Sequence, residues 1–352
     1  MNKIVPPAKK SGRSKALWSL LFVVIAAMSI WAVTSMTEEF SFAQLLESLG
    51  EMNPLYILGA VLSMLGFILF ESMALICLLK ALGFAAGLKK GFIYSAADIY
   101  FSAITPSATG GQPASALFMM KDGISGADAT LSLVANLIAY TGAIVVVGFL
   151  ALIICPGALL LFSTPSRILV IVGFVVQIGL LSLFVMLLKR GELLYKMGAF
   201  LIRLLKKLKL IKKTEKKLKR LEKAVDEYSH HAVALSGKGR SIALCFLFNF
   251  LQRLSVIFVT LFIFLGSGGS VSKLGEIFTL QSATVIGAYC IPIPGAMGVT
   301  DYLMLDGFGA IMEEEAAVCL ELVSRSISFY SCIIICGLAV LIKYFSSRRK
   351  KI

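Results

Sequence analysis

Six ionisable residues stand inside stretches of sequence that are otherwise apolar: Glu71, Asp98, Arg253, Asp301, Glu321 and Arg325. A charged side chain at the centre of a bilayer costs about 2.5–3.5 kcal/mol on insertion scales, so such residues are rare there and mark pathways or paired interiors. A guanidinium holds phosphate oxygens through two parallel N–H donors, and a carboxylate holds an ammonium group or a proton. Four acids against two arginines leave surplus negative charge, which suits a group carrying both phosphate and ammonium. Glu71 and Arg253 occupy corresponding places, 12 and 13 residues before Gly83 and Gly266. Glu321 lies one helical turn before Arg325 on the same face, and Asn136 holds the place in the first half that Arg325 holds in the second. The plain alternative is structural, with Glu71 neutralising Arg253 and Glu321 neutralising Arg325 in a bundle interior.

Two broken apolar regions frame these charges. Residues 91–122 carry Thr105, Pro106, Gly110, Gly111, Gln112 and Pro113 in their middle, and residues 276–310 carry Pro292, Pro294, Gly295 and Gly298. Proline removes a backbone donor and clashes with the preceding turn, so each helix must break there. The halves are then about 10 to 15 residues each, below the roughly 20 a span requires, and read as re-entrant hairpins. The second half-helices would begin near Pro113 and near Gly298. Their N-termini would present free N–H groups to an anion, and the glycines would admit a bulky group close to the backbone.

The elements that must position these residues follow from composition. Of 352 residues, 58% are hydrophobic and 15% charged, against about a quarter charged in soluble domains, and the mean hydropathy is +0.88. A soluble enzyme, a disordered chain and a nucleic-acid module are excluded. Full spans are expected near 17–36, 55–80, 127–154, 166–189, 241–265 and 316–344. The first follows a basic stretch like a signal peptide, yet no small-x-small cleavage site follows it, so it reads as a retained span. The fold class is all-α: a polytopic integral membrane protein of about six full spans plus two re-entrant helical hairpins in an inverted-topology repeat.

Charge distribution orients this map. With the N-terminus inside and both broken regions re-entrant, 30 of the 34 Lys and Arg fall on the cytoplasmic side, as the positive-inside rule requires. The expected divisions are a basic N-terminus (1–16), a first membrane repeat (17–154), a connection with the first span of the second repeat (155–189), a basic amphipathic segment (190–240), the rest of the second repeat (241–344) and a basic tail (345–352). Each half holds three crossings, an odd number, so the halves are inverted and their hairpins enter from opposite faces, as in many secondary transporters. Both termini are expected in the cytoplasm.

The net charge of +14 is concentrated between Arg203 and Lys223, where eleven Lys or Arg face Glu215 and Glu222. Beside membrane spans such a segment meets anionic inner-leaflet lipid rather than nucleic acid. Leu201, Leu204, Leu205, Leu208, Ile211, Leu218 and Leu221 follow helical spacing, so it is expected to lie amphipathically along the inner surface. The seven cysteines form no CxxC pair and read as plain buried thiols. His230 and His231 have no partner cluster in the sequence. No Walker A pattern, DxD or histidine cluster appears, so no cofactor, metal or catalytic residue is assigned.

The stretches ITPSATGGQPASALFMMKDGI (104–124), IPIPGAMGVTDYL (291–303) and RSISFY (325–330) resemble the flippase-like family. This is the lysylphosphatidylglycerol synthase transmembrane family, also called the multiple peptide resistance factor family, and the resemblance covers nearly the whole chain. It implies a flippase or scramblase of the bacterial inner membrane. The cargo would be an aminoacylated phospholipid, most directly lysylphosphatidylglycerol, moved from inner to outer leaflet against cationic antimicrobial peptides. Longer members add a soluble domain that makes the lipid. This sequence ends at Ile352 just after its last span, so no lysyl transfer is expected from it, and a separate lysyl-lipid synthase becomes a candidate partner, as does a second copy of the chain. Polyprenyl-phosphate lipids, or a small soluble anion or amino acid carried by a secondary transporter, are the alternative cargoes.

Overall fold

In the computed structural model, residues 49–349 are described, apart from 106–107, 208–213, 290 and 292. Among the described residues five helices are long and apolar enough to cross a membrane. They are α1 (Pro54–Ala81), α4 (Gly126–Ile154), α5 (Thr164–Lys189), α8 (Gly239–Gly266) and a last crossing made of α11 (Glu314–Arg325), a π-helical turn (Ser326–Ser331) and α12 (Cys332–Arg349). Their bounds fall within a few residues of the expected spans. The expected span 17–36 lies outside the described residues. No strand occurs among the described residues, and the protein is an all-α, multi-pass membrane protein.

Local chemistry sets the ends of these helices. The Asn53 side chain accepts from the Leu55 N–H at 3.0 Å and Pro54 takes the first helical position, where its missing donor costs nothing. Gly83, just past the end of α1, adopts φ 91, the left-handed stop that glycine alone takes without strain. Ser125 caps α4 by accepting from the Asp128 N–H at 3.0 Å.

Both broken regions are helix pairs. The first is α2 (Leu88–Ile104) with α3 (Gly111–Lys121), the second α9 (Leu274–Ala288) with α10 (Val299–Gly309), and within each pair the halves pack on each other. At 17 residues α2 exceeds the expected half-length. Its break comes late, at Thr105 with φ −115 and ψ 144, the extended conformation imposed on the residue before a proline. Helix α3 starts at Gly111, ahead of Pro113, which therefore sits in its first turn.

Helices α1 and α8, from the two halves, pack on each other along their lengths. Asn53 N–H donates to the Gly266 carbonyl at 3.4 Å, Gly59 faces Phe262 and Gly66 faces Ser255, and Glu71 meets Gln252. Rising numbers on one helix meet falling numbers on the other, so the pair is antiparallel. Gly59 and Gly66 let the two backbones approach.

Among the described residues the basic segment is made of two helices. It folds into α6 (Gly191–Lys207) and α7 (Thr214–Ser236), which pack together with Gly198 against Leu221. The far end of α7 is tied into the spans: buried Tyr228 donates to the Leu187 carbonyl at 3.2 Å, and burial pushes its hydroxyl up to about 12. His231 meets Asp128 of α4 at 2.5 Å. The six described cysteines are free, and Cys77, Cys155 and Cys319 are only half-buried, because their helix faces turn partly toward the surface rather than into the bundle.

Candidate functional site

The first hairpin is built around Asp98. Its Oδ1 accepts from Ser102 at 3.2 Å, and its Oδ2 accepts from Gln112 Nε2 at 2.6 Å across the break. A Cβ on Gly111 would fall on the Asp98 side chain and backbone oxygen, so only glycine lets α3 start this close to α2. The Gly110 N–H donates to Thr105 Oγ1 at 2.9 Å, and Thr105 donates in turn to the Phe101 carbonyl at 2.6 Å. Thus the sequence-marked Thr105, Gly110, Gly111 and Gln112 position Asp98, while Pro113 lies exposed. Pro106 and Pro292 fall outside the described residues.

Asp98 faces Glu71 of α1, and the two carboxyl groups are within hydrogen-bonding reach of each other. Glu71 Oε2 also accepts from Gln252 Nε2 of α8 at 2.9 Å. Carboxylates in contact repel unless a proton or cation lies between them, and the next residue, Arg253, supplies positive charge to Glu71. Direct neutralisation of Glu71 by Arg253 is not what forms. No carboxylate among the described residues lies within 4.0 Å of Arg253. Its guanidinium instead stacks over Tyr140 at 4.5 Å and Phe67 at 5.4 Å, and donates to the Tyr289 hydroxyl at a long 3.4 Å. Tyr140 donates to Tyr289 at 3.2 Å, closing an aromatic box around a 4% exposed arginine. Cation–π contacts of this kind gain strength when the cation is desolvated. Asn136 accepts from Asn249 Nδ2 at 2.9 Å, one turn along α8, and so belongs to this centre rather than to the surroundings of Arg325.

The second hairpin holds its acid on the other half. Asp301 lies in the first turn of α10: its Oδ2 accepts from the Gly298 N–H at 2.8 Å, while its Oδ1 lies 2.9 Å from Arg325 Nε. Glu321 is 3.9 Å from the same nitrogen. The expected partner of Arg325 was its helical neighbour; the closer one comes from the hairpin, because α10 packs on α11 and brings Asp301 to the guanidinium. Arg325 also stacks on Phe329 at 4.7 Å. Phe329 belongs to the π-helical turn that immediately follows Arg325, with Ser331 Oγ donating to the Ser326 carbonyl at 2.8 Å. Such turns recur at functional sites. A Cβ on Gly295 (φ 60) would run into the Phe329 ring, so the Pro294–Ala296 turn rests on that aromatic. The same turn packs against α2, bringing the break of one hairpin to the first half of the other.

Both half-helix N-termini already carry an internal acceptor, Thr105 on Gly110 and Asp301 on Gly298. A first donor expected to be free is therefore occupied in each. Unsatisfied polarity lies elsewhere: among the described residues Arg253 Nε, Arg325 Nη2, Gln112 Oε1 and Gln252 Oε1 are buried without a hydrogen-bond partner. An orphaned buried polar atom costs about 1–3 kcal/mol. Sequence reasoning missed Phe67, Tyr140, Gln252, Tyr289 and Phe329. Gln252 could have been found by the cost argument that marked its neighbour Arg253, but the aromatics look like ordinary span residues.

A family model described as the lysylphosphatidylglycerol synthase TM region matches residues 17–336. The chain belongs to this family. The match contains both hairpins and both arginine sites, and it carries the π-helical turn that follows Arg325. No curated protein matches the chain.

Proposed function

We propose that this member of the family is a lipid flippase or scramblase of the bacterial cell membrane. It carries an aminoacylated phospholipid, lysylphosphatidylglycerol first, from the cytoplasmic to the outer leaflet, and thereby blunts cationic antimicrobial peptides. The observation that carries the reading is the pair of buried arginines with orphaned donors, Arg253 Nε and Arg325 Nη2, each beside surplus acid. A lipid phosphate takes guanidinium donors, and a lysyl headgroup brings ammonium groups to Glu71, Asp98, Asp301 and Glu321. The headgroup passes between the hairpins while the acyl tails stay in lipid. The role is transport without a catalytic step, running downhill or coupled to protons through these acids. The concentration of Lys and Arg on one side supports cytoplasmic termini, and the basic segment supports capture of anionic inner-leaflet lipid.

The test uses cells that make lysylphosphatidylglycerol from a separate synthase, with and without this protein, and an impermeant amine label on the outer leaflet. Labelled lipid rises with the wild type and returns to background with Arg253→Gln. No rise from an inserted wild type turns the assignment to polyprenyl-phosphate lipids. If those fail as well, it turns to a small soluble anion or amino acid.

A further inference from the structure

A second site lies away from the charged centre. Helices α1, α4, α5, α7 and α8 enclose a cavity of about 650 Å³, within the roughly 300–1,000 Å³ of sites that hold small molecules. Neither Glu71, Asp98, Arg253 nor Arg325 lines it; its walls are almost entirely apolar or small side chains. Val233, Ile242 and Phe246 line it and yet remain 75%, 40% and 36% exposed, so they mark its mouth on the outer surface of the bundle. Among its lining side chains only Lys189, Ser229, Ser236 and the Cys245 thiol are not hydrocarbon.

Cations flank the lining residues: Arg190 lies between Lys189 and Gly191, and Lys238 and Arg240 lie between Ser236 and Ile242. Lys189 and Arg190 close α5, and Lys238 and Arg240 stand where α7 passes into α8; all four are exposed. The nearest acid in sequence, Glu192, is engaged by Lys196 at 2.7 Å. An apolar slot lined by Lys189, with three more exposed cations within two residues of its lining, is complementary to one class of molecule, a lipid with an anionic phosphate and a hydrocarbon tail. A zwitterionic lipid would bring its own cation to the same residues. We infer that this cavity binds one acyl chain of an anionic phospholipid from the leaflet beside the basic segment, with the phosphate held at Lys189 and the neighbouring cations. The site is an accessory one, separate from the proposed translocation route. Its inner wall includes Cys245, which contacts Asn136 at 3.7 Å beside the Asn136–Asn249 hydrogen bond. Occupancy therefore bears on the helix that carries Arg253.

The experiment is native mass spectrometry of the full chain in detergent, titrated with dioleoyl phosphatidylglycerol and, separately, dioleoyl phosphatidylcholine. A Cβ on Gly142 would lie 3.5 Å from Phe246 and 3.9 Å from Leu181, ordinary contacts, so Gly142→Leu extends into the cavity without displacing backbone. Wild type should hold phosphatidylglycerol about fivefold more tightly than phosphatidylcholine, since each basic residue at an anionic surface contributes about 1 kcal/mol. Gly142→Leu should abolish the adduct, and Lys189→Gln, an exposed change that keeps the fold, should weaken it about fivefold. Arg253→Gln should keep it unchanged. Equal binding of the two lipids, a full adduct in Gly142→Leu, or an unaltered one in Lys189→Gln overturns the inference. Wild type with no adduct also overturns it. Loss in Arg253→Gln alone would make the bound lipid the cargo rather than an accessory ligand.

Discussion

The two hairpins solve one problem in opposite ways. Each must hold a carboxylate beside a helix break inside a membrane. In the first, Asp98 sits on the leading half, and Ser102 and Gln112 bind it, with Glu71 as its acidic neighbour. In the second, Asp301 sits on the trailing half, caps its own helix and forms an ion pair with Arg325. One arginine is thus neutralised at contact, while the other is held by aromatic faces and balanced from a greater distance. The difference separates two roles that a charge count merges: Arg325 supports the second hairpin, whereas Arg253 is free of any short ion pair among the described residues and is the better placed to exchange partners with a passing headgroup.

The sharpest way to break this comparison is to remove each arginine. Arg325→Gln strands Asp301 and Glu321 and should cost about 3–5 kcal/mol, the usual penalty for leaving a buried partner uncompensated. Arg253→Gln strands no acid at contact distance, so its melting temperature in detergent should fall less than that of Arg325→Gln, while transport is lost. Adding Asp301→Asn to Arg325→Gln should recover most of the stability and none of the transport. Equal melting of the two single variants would erase the distinction.

A smaller effect separates the breaks. Gly111→Ala drives a methyl onto the Asp98 backbone oxygen, which cannot move aside, and should cost about 1–3 kcal/mol. Gly295→Ala meets a phenylalanine ring instead, and a Phe329→Ala background should relieve that clash, leaving only the left-handed φ cost, where no single change relieves Gly111→Ala. Removing the Gln112 side chain should cost about 1.5–3 kcal/mol as the loss of one hydrogen bond to a charged group, read as earlier unfolding of the hairpin in hydrogen exchange. The smallest effect is shared. Ala108 and Ala296 both hold left-handed φ, 54 and 51, which costs an L-residue roughly 1–2 kcal/mol. Glycine at either position should raise stability by a few tenths of a kcal/mol after its own entropy cost, and a loss at both would show that the alanine methyls are needed for packing.

Much of this architecture is legible in one dimension. The bilayer sets a length that apolar runs must meet, so α1, α4, α5, α8 and the last crossing can be read by counting. The α2–α3 and α9–α10 breaks follow from residues that cannot continue a helix, and the cost of burying charge picks out Glu71, Asp98, Arg253, Asp301, Glu321 and Arg325 before any contact is seen. Partner choice is not local. Glu71 meets Gln252 and Asp98 rather than Arg253 because the antiparallel register of α1 on α8, and the depth at which α2 packs, decide which atoms face each other. Arg325 meets Asp301 because a hairpin some twenty residues earlier folds back on it. The aromatic box needs Phe67, Tyr140 and Tyr289 from three elements, none of them marked by type or spacing. Residue chemistry alone therefore determined that charge lies inside this membrane protein and where its helices must break. Only the tertiary structure decided which charge is answered by an acid and which by aromatic rings, since a guanidinium's partner depends on the crossing of helices far apart in the chain.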